Sequence, residues 1–417
     1  MTGPEPEIPS EPSRRCYVKI LAACGATAVA GCSGSGGESQ ESETDASNQD
    51  ESSGGADTSP RTTKAGSDEP SATSDGTSDS TSGVSGAPMV GYNPSRTGYS
   101  PLERGPASGV TEQWRVELDG QGGVPPAVHD GTVYAGPTSY VAAFDAATGD
   151  EQWRFESPER VSSPAVVDET VFVADRRRGN LHALDAASGE EQWSADAYTS
   201  GRSLTVHDGV VYAGLGAVSA EDGEELWTVE TETGNGEMAV ADGTVVIGTG
   251  DPSGQGFDGL IAVSTDDGSE QWRHELPGRV DSPPAIADGT VYATTGTDST
   301  DSLFAFSLAD GSQQWSADAG GPLTTPAVAD GTVYTIGDSR YAFDAETGDQ
   351  QWVEYIGTGT SPAVADGVVY AGTSAYSASD GSELWQHDTE FGSAGWVAPV
   401  GGTVYVCSRR GELYALS

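Results

Sequence analysis

A single sequence pattern recurs about every forty residues through most of this chain. In the copy at residues 326–352, Ala-Val-Ala-Asp-Gly-Thr-Val-Tyr is followed, after a short loop, by Tyr-Ala-Phe-Asp-Ala-Glu-Thr-Gly-Asp-Gln-Gln-Trp. Asp-Gly between β-branched and aromatic residues predicts a two-residue hairpin turn, because both turn positions need positive backbone angles. The second half predicts a third strand, a turn and a fourth strand. Each copy is therefore expected to form one four-stranded antiparallel sheet, which is the size of a propeller blade.

The number of copies and the two ends of the repeated region predict a closed ring. The first halves of the eight copies end at Tyr134, Phe172, Tyr212, Val246, Tyr292, Tyr334, Tyr370 and Tyr405. The chain stops after a third strand at residues 413–417, and residues 112–114 read as a fourth strand with no blade before it. This N-terminal strand is expected to complete the last blade and so remove the open sheet edge. The predicted fold class is all-β: an eight-bladed β-propeller over residues 89–417.

A tryptophan closes the second half of every copy. The eight residues are Trp114, Trp153, Trp193, Trp227, Trp272, Trp315, Trp352 and Trp385. A large flat side chain at the same position of each blade is expected to pack against the neighbouring blade. We therefore interpret these tryptophans as structural docking residues and not as a ligand-stacking surface.

The N-terminal region has the features of an exported lipoprotein. Arg14 and Arg15 are followed by Cys-Tyr-Val-Lys and an apolar stretch at residues 20–30, which resembles a twin-arginine export signal. That stretch is too short to span a bilayer as a helix. Val-Ala-Gly-Cys, ending at Cys32, resembles the cleavage box of a lipoprotein, in which the new N-terminal cysteine carries the lipid. We expect residues 1–31 to be a signal peptide and Cys32 to be lipidated.

Residues 32–88 are predicted to be a disordered tether. The segment consists mainly of Ser, Gly, Thr, Asp and Glu, so it cannot bury enough apolar surface to fold. The expected organisation is therefore a lipid anchor, a flexible acidic tether and a propeller. This organisation predicts a location at the cell membrane, on the extracellular side.

The charge of the chain argues against one class of partner and indicates an environment. The formal net charge is −45, and from residue 89 onward the chain has fourteen arginines and no lysine. Nucleic acid is a polyanion that such a surface repels, so we expect no nucleic-acid binding. Molar salt screens the mutual repulsion of the acids. An acidic, lysine-free propeller on a twin-arginine lipoprotein resembles proteins of salt-loving archaea. We expect the protein to be a monomer.

The second half of the repeat also resembles a known family. The string Ala-x-Asp-x-x-Thr-Gly-x-x-x-Trp stands at residues 143–153, and it recurs nearly intact ending at Trp193 and Trp352. It resembles the tryptophan-docking repeat of pyrroloquinoline-quinone (PQQ) propellers over nearly the whole folded region. The resemblance implies one of two roles: a quinoprotein dehydrogenase, or a non-enzymatic lipoprotein similar to the BamB subunit of the bacterial outer-membrane assembly machinery.

Several features favour the BamB-like branch. The resemblance implies that a dehydrogenase holds quinone and calcium at one end of the channel, usually beside a disulfide between adjacent cysteines, and this chain has no Cys-Cys pair. The five histidines occupy ordinary repeat positions, and no nucleophile motif, phosphate loop or zinc spacing occurs in the sequence. We expect no catalytic residue, no metal site and no cofactor. PQQ with calcium belongs only to the alternative reading.

The arginines indicate where a partner binds. In a blade, the first-to-second and third-to-fourth turns lie on one face of the ring, which we call the acidic face because no Asp-Gly or Thr-Gly turn contains a base. Second-to-third loops and inter-blade crossovers lie on the opposite face, which we call the arginine face. It is predicted to carry Arg160, Arg176, Arg177, Arg178, Arg202, Arg279, Arg340, Arg409 and Arg410, with Trp396 in a crossover.

These residues suit an anionic partner. Guanidinium groups bind carboxylates and anionic sugars, and an exposed tryptophan stacks on a planar ring or a sugar. The alternative is that the arginines are ordinary solvated loop residues that pair with local acids such as Glu159 and Asp175. We predict a non-catalytic, membrane-tethered scaffold that binds a protein, an anionic glycan or a small anionic molecule at the cell surface. A PQQ-dependent oxidoreductase is the alternative function.

Overall fold

The structure, a computed structural model, describes the chain from residue 86 to its end apart from short gaps. The described ranges are 86–120, 122–157, 160–175, 179–196, 203–229, 236–250, 256–296, 302–355, 360–388 and 395–417. The following predicted features lie outside them: the signal at 1–31 with Arg14 and Arg15, Cys32, the tether up to residue 85, and Arg176, Arg177, Arg178 and Arg202.

The described residues form eight antiparallel sheets, one for each predicted blade. Two strands precede the blades in the chain: β1 (Gly86–Ala87) and β2 (Glu112–Glu117). Blade 1 contains β3 (Ala127–His129), β4 (Thr132–Ala135), β5 (Tyr140–Asp145) and β6 (Glu151–Glu156). Blade 2 contains β7 (Ala165–Val167), β8 (Thr170–Ala174), β9 (Asn180–Asp185) and β10 (Glu191–Asp196). Blade 3 contains β11 (Thr205–His207), β12 (Val210–Ala213), β13 (Gly216–Ser219) and β14 (Glu225–Thr228). Blade 4 contains β15 (Gly236–Ala241), β16 (Thr244–Thr249), β17 (Gly259–Ser264) and β18 (Glu270–Glu275).

The remaining blades follow the same order. Blade 5 contains β19 (Ala285–Ala287), β20 (Thr290–Thr294), β21 (Leu303–Ser307) and β22 (Gln313–Ala317). Blade 6 contains β23 (Ala327–Ala329), β24 (Thr332–Ile336), β25 (Ser339–Asp344) and β26 (Gln350–Tyr355). Blade 7 contains β27 (Ala363–Ala365), β28 (Val368–Ala371), β29 (Ser374–Ser377) and β30 (Glu383–Gln386). Blade 8 contains β31 (Gly395–Val400), β32 (Thr403–Ser408) and β33 (Glu412–Leu416), and β2 is its fourth strand.

The blades are arranged in a closed ring. The first strand of each blade contacts the first strand of the next, from β3 in order to β31, and β31 contacts β3 in turn. These inner strands surround a central channel. The predicted eight-bladed β-propeller is confirmed.

The last blade is closed by the N-terminal strand, as predicted. Strand β2 pairs antiparallel with β33, with Trp114 opposite Ala415 and Arg115 opposite Tyr414. The edge of β33 is therefore paired by a segment from the opposite end of the chain, and no sheet edge stays open at the junction.

The first-to-second turns have the backbone that Asp-Gly predicts. In blade 6, Asp330 and Gly331 have φ of 48° and 73°, and the Asp-Gly turns of the other blades repeat these values closely. Positive φ at both central residues is the signature of the type I′ hairpin, whose twist matches that of the flanking strands. Blade 8 uses the glycine pair 401–402 at this position, also with positive φ.

The repeat tryptophans lie between blades. Each indole N–H donates to a backbone carbonyl beyond its own blade, at 2.7–3.2 Å: Trp114 to Ala146, Trp153 to Ala186, Trp193 to Ala220, Trp227 to Thr265, Trp272 to Leu308, Trp315 to Ala345, Trp352 to Ala378 and Trp385 to Pro106. The turn glycine of the next blade lies against the ring. A Cβ on Gly149 would come within 2.8 Å of Trp114, so this contact requires glycine.

The hydrophobic core is divided into layers between adjacent blades. Between blades 1 and 2, Tyr134 and Trp153 pack against Val166 and Leu184, and all four are buried. Small alanines at the repeat positions let the sheets approach closely. Apolar residues in the described ranges are thus distributed over short strands. Within these ranges, no helix is long and apolar enough to cross a membrane.

Candidate functional site

A segment that precedes the first blade crosses the central channel. We call residues 86–104 the strap. Strand β1 pairs with the inner strand β3 of blade 1. Backbone N–H groups of other inner strands donate to strap carbonyls at 2.6–2.9 Å: Val166 to Pro88, Val240 to Pro94, Ile286 to Ser95, Val328 to Thr97 and Val364 to Gly98. Inner strands are sheet edges, and the strap provides the acceptors that their N–H groups would otherwise take from solvent.

The strap is fastened to blade 8 and to its own beginning by one carboxylate. Glu103 accepts hydrogen bonds from the backbone N–H of Gly86 at 2.6 Å and of Gly401 at 2.8 Å. The Tyr92 hydroxyl donates to the Pro399 carbonyl at 3.1 Å, and burial raises the pKa of Tyr92 well above its usual value. Pro399 has no N–H that could donate to the strap as the other inner strands do. Its carbonyl therefore accepts a hydrogen bond from the strap instead.

The strap occupies the acidic-face end of the channel. The Tyr99 hydroxyl donates to Asp330 at 3.3 Å, and Arg104 forms an exposed ion pair with Asp366 at 3.5 Å. Both aspartates belong to first-to-second turns, which lie on the acidic face. Strand β1 runs antiparallel to β3, with Gly86 opposite the last residue of that strand, so Gly86 itself lies at the acidic-face end of β3.

Arg96 is the one charged strap side chain that points into the interior of the ring at blade 3. It is 0% exposed and has φ of 55°, a left-handed backbone that arginine seldom adopts. Its Nη2 donates to the Leu204 carbonyl at 2.9 Å, and its Nε and Nη2 both contact the Thr205 hydroxyl, at 3.0 and 2.8 Å. Its Nη1 is buried without a hydrogen-bond partner among the described residues. The repeat pattern does not reveal Arg96, although Met89 and Tyr92, apolar residues after a long polar tether, signal that the folded part begins before them.

Two of the predicted arginine-face residues are already engaged within the protein. Arg340 lies in strand β25 and not in a loop, is 5% exposed, and places its guanidinium 3.2 Å from the centre of the Tyr376 ring. Burial lowers the pKa of Arg340. Arg279 pairs with Asp281 at 3.1 Å. Arg279 and Arg340 are therefore better explained as residues that interact within the protein than as residues that bind a partner.

Another group of predicted residues is accessible and contiguous. Arg409, Arg410 and Arg160 are exposed, and the Arg409 guanidinium lies 5.5 Å from the centre of the half-buried Trp396 ring. Trp396 belongs to the first strand of blade 8, β31, and not to the crossover that the sequence predicts. A first strand begins where the crossover ends, so the indole of Trp396 still lies near the arginine face.

Backbone contacts join these residues along the arginine face. The N–H of Gly122 donates to the Arg409 carbonyl at 3.1 Å, and the N–H of Val161, next to Arg160, donates to the Thr138 carbonyl at 2.9 Å. Gly122 in turn lies against Thr138. We call Arg160, Trp396, Arg409 and Arg410 the 8–1 sector, because they extend from blade 8 over blade 1. Arg177, Arg178 and Arg202 are outside the described residues and are not part of this definition.

The described residues do not fit a site for quinone and calcium. Backbone atoms of the strap occupy the acidic-face end of the channel. Within the described ranges, no group of three or more His, Cys, Asp or Glu side chains has an arrangement that holds a metal ion. A cleft of about 660 Å³ on the acidic face between blades 1 and 2 is lined by His129 together with Asp130, Asp168 and Asp185, and this excess of carboxylates disfavours a carboxylated cofactor.

Comparison with known proteins agrees with this architecture. The family described as outer membrane protein assembly factor BamB matches residues 105–217 and 207–325, which together exceed half of the chain. The crystal structure of BamB from Moraxella catarrhalis is similar, with a TM-score of 0.59 and 18% identity over 74% of this chain and 100% of that chain. Quinohemoprotein alcohol dehydrogenase from Comamonas testosteroni has a TM-score of 0.65 and 17% identity over 79% of this chain and 80% of that chain.

A designed protein extends the comparison. The computationally designed Ika8 protein has a TM-score of 0.62 and 15% identity over 73% of this chain and 98% of that chain. No curated protein matches in sequence. At these identities the structural likenesses show the fold alone, whereas the family match rests on sequence. The chain therefore belongs to the family of PQQ-like repeat β-propellers described as outer membrane protein assembly factor BamB.

Proposed function

We propose that this protein is a non-catalytic scaffold, tethered to the extracellular side of the cell membrane, that binds an anionic partner through the 8–1 sector. The name of its family, an assembly factor, supports a role in holding other molecules and not in transforming them. The twin arginines at 14 and 15 and the cleavage box at Cys32 support export and lipid anchoring.

The observation that carries the scaffold role is the strap. A propeller without such a segment has an open channel in which a ligand can be enclosed. Here the acidic-face end of the channel is taken by the chain itself, through backbone bonds to most of the inner strands. The outer surfaces of a rigid ring are then the parts best suited to recognition.

The 8–1 sector is the part of the arginine face best suited to bind. Arg160, Arg409 and Arg410 are exposed, whereas Arg279 is half-buried and Arg340 is buried. Trp396 beside Arg409 offers a flat apolar surface next to a guanidinium. A uronic-acid sugar or a carboxylate-bearing peptide would use both, with the carboxylate on arginine and the ring or apolar part on tryptophan.

The proposal is tested by binding of trigalacturonate, a short oligosaccharide with one carboxylate on each sugar, to the purified protein in molar sodium chloride. At that ionic strength long-range attraction is screened within about 3 Å, so only contacts at hydrogen-bond distance contribute. Replacement of Arg160, Arg409 and Arg410 with serine is expected to weaken binding at least tenfold, because each charge-assisted bond contributes about 1.5–3 kcal/mol.

A matched control removes the same charge elsewhere. Arg104, Arg115 and Arg273 lie on the acidic face or the outer strands, and their replacement with serine is expected to leave binding unchanged. Equal loss in both triple variants, or no binding by the parent protein, would contradict the 8–1 sector as an anion-binding surface.

The alternative function is tested separately by equilibrium binding of PQQ with calcium in molar salt. A scaffold with a filled channel end is expected to show no saturable binding. One-to-one binding would overturn the non-catalytic proposal and direct attention to alcohol and sugar oxidation.

A further inference from the structure

The acidic face is interrupted at blade 8. Blades 1–7 each carry an aspartate in the first-to-second turn: Asp130, Asp168, Asp208, Asp242, Asp288, Asp330 and Asp366. Blade 8 has the glycine pair 401–402 there. The third-to-fourth turns of blades 1–7 also contain acids, whereas residues 106–111, Pro-Ala-Ser-Gly-Val-Thr, take this position in blade 8. Blade 8 is thus the one blade without an acid at either position.

Residues 101–109 lie across this interruption. They run outward from the edge of the channel to the outer strand of blade 7. The Gly402 N–H donates to the Arg104 carbonyl at 2.8 Å, and further out the Trp385 indole donates to the Pro106 carbonyl at 2.7 Å. Most of the segment is exposed. It therefore forms a strip of surface between the strap and the rim of the ring.

The strip is apolar and has no net charge. Its two ionisable residues are Glu103, which is buried, and Arg104, which pairs with Asp366. Four large apolar side chains in the described ranges are exposed, and two of them lie here: Leu102 is 65% exposed, and Leu384, next to the tryptophan that contacts the strip, is 37% exposed. We call residues 101–109 and Leu384 the neutral strip.

The predicted tether begins beside the neutral strip. The Gly86 N–H donates to the Glu103 carboxylate at 2.6 Å, so the start of the described chain lies one residue from Leu102. The sequence predicts a flexible tether over residues 32–85, and a chain of this length has a root-mean-square span of about 40 Å. The surface that holds the far end of the tether is then always within reach, so even a weak contact with it is occupied.

We propose that the neutral strip docks on the membrane surface to which the tether runs, with Leu102 and Leu384 inserted among the lipid headgroups. This inference rests on the proposed lipid anchoring. Elsewhere on this face, exposed carboxylates would lose hydration against lipid, whereas the strip offers apolar side chains. Two leucines suit shallow insertion, because a stable protein interface buries about 800 Å² on each partner. Docking turns the 8–1 sector, on the opposite face, away from the membrane.

The test measures which part of the surface touches lipid. The full protein made by cells is reconstituted in vesicles of phosphatidylcholine and phosphatidylglycerol in molar sodium chloride. Ala107→Cys places a fluorescent label on the strip, Ala187→Cys places it on the acidic face of blade 2, and Asp338→Cys places it on the arginine face. Quenching by a lipid with a headgroup nitroxide is expected to be several-fold stronger at residue 107. Equal quenching at all three positions, or none at residue 107, would overturn the proposal.

A pair of substitutions tests the two leucines. Leu102→Ser combined with Leu384→Ser is expected to lower quenching at residue 107 to the level at residue 187. Leu226→Ser is the matched control, because Leu226 precedes the repeat tryptophan of blade 3 as Leu384 does in blade 7 and is 49% exposed. This control should leave quenching unchanged. Equal quenching in the double variant and the control would contradict insertion of the leucines.

Failure of the anchor gives a different result from failure of the strip. Protein that does not float with the vesicles contradicts the proposed lipidation of Cys32. A hexahistidine tag in place of Cys32, held by a nickel-chelating lipid, then tethers the same chain at the same residue. The comparison of residues 107, 187 and 338 on these vesicles decides for or against the neutral strip as before.

Discussion

The Trp385 indole nitrogen donates a hydrogen bond to the Pro106 carbonyl at 2.7 Å. In the other blades the corresponding acceptor belongs to the next blade, at or beside its third-to-fourth turn, as for Trp153 and Ala186. Blade 8 has no such turn, because its third and fourth strands come from opposite ends of the chain. Pro106, between the strap and β2, replaces the missing turn and restores the docking bond at the junction.

Replacement of Trp385 with phenylalanine tests whether this substitute bond is equivalent to the others. We expect a loss of at least about 1 kcal/mol in the free energy of unfolding, because the variant loses one hydrogen bond and part of the buried ring, and a similar loss for Trp153→Phe. Urea unfolding at constant molar salt measures both. A normal Trp153→Phe effect with no change in Trp385→Phe would show that Pro106 does not replace the turn.

Replacement of Glu103 with alanine is expected to loosen the strap. The variant leaves the backbone N–H groups of Gly86 and Gly401 without their acceptor, at a cost of about 1–3 kcal/mol for each group that stays buried. Hydrogen exchange at these two amides should quicken while exchange in the blade cores stays slow. Arg104→Ala is the control, because its exposed ion pair with Asp366 contributes at most about 1 kcal/mol. Equal exchange rates in parent and Glu103→Ala would contradict the fastening role.

The third-to-fourth turns predict a loss of stability in acid. In Asp145, Asp185 and Asp344 hydrogen bonds from turn backbone and hydroxyl groups lower the carboxyl pKa below its usual value. A carboxyl whose pKa is lower in the folded state stabilises the fold above its unfolded pKa of about 4, and this stabilisation is lost as pH falls through the folded pKa. Unfolding free energy should therefore decline below about pH 4.

The variant Asp344→Asn identifies the contribution of one turn. An asparagine keeps the acceptor oxygen but does not titrate, so stability in acid should fall less steeply than in the parent protein. Urea midpoints at a series of pH values and constant salt measure the slope. A slope unchanged from that of the parent would show that this carboxyl does not contribute.

Cys407 is expected to be chemically inert in the native protein. Its side chain is 0% exposed, and burial raises the thiol pKa to about 12, so almost no thiolate exists near neutral pH. Dithionitrobenzoate should not react with it in molar salt and should react once urea unfolds the ring. Rapid labelling of Cys407 in the native protein, located by peptide mapping, would contradict this burial.

The fold was predictable because the repeat is its own internal alignment. Asp-Gly turns, the docking tryptophans and the unmatched strands at the two ends together specify the blade, the number of blades and the closure. The strap escaped prediction because it has no counterpart in the repeat and bonds to most inner strands through backbone atoms, which leave no residue pattern.

The arginine face was predictable only in part. Arg160, Arg409 and Arg410 are exposed, but sequence spacing did not reveal that Arg340 lies within strand β25 and stacks on Tyr376 of the next blade. That contact joins residues from different repeats, and its geometry depends on how neighbouring sheets pack. The buried position of Arg96 likewise depends on the path of the strap.

The closure of blade 8 also sets an order of assembly. Strand β2 is synthesised near the beginning of the propeller and β33 is the last strand of blade 8, so the pairing between them has to wait until β33 has been made. The strap bonds to inner strands of blades from both halves of the sequence, so it too has to wait until most of the ring has formed. The earliest part of the folded region to be made is therefore among the last to settle, and a nascent chain that lacks only its final strand still exposes an unpaired sheet edge.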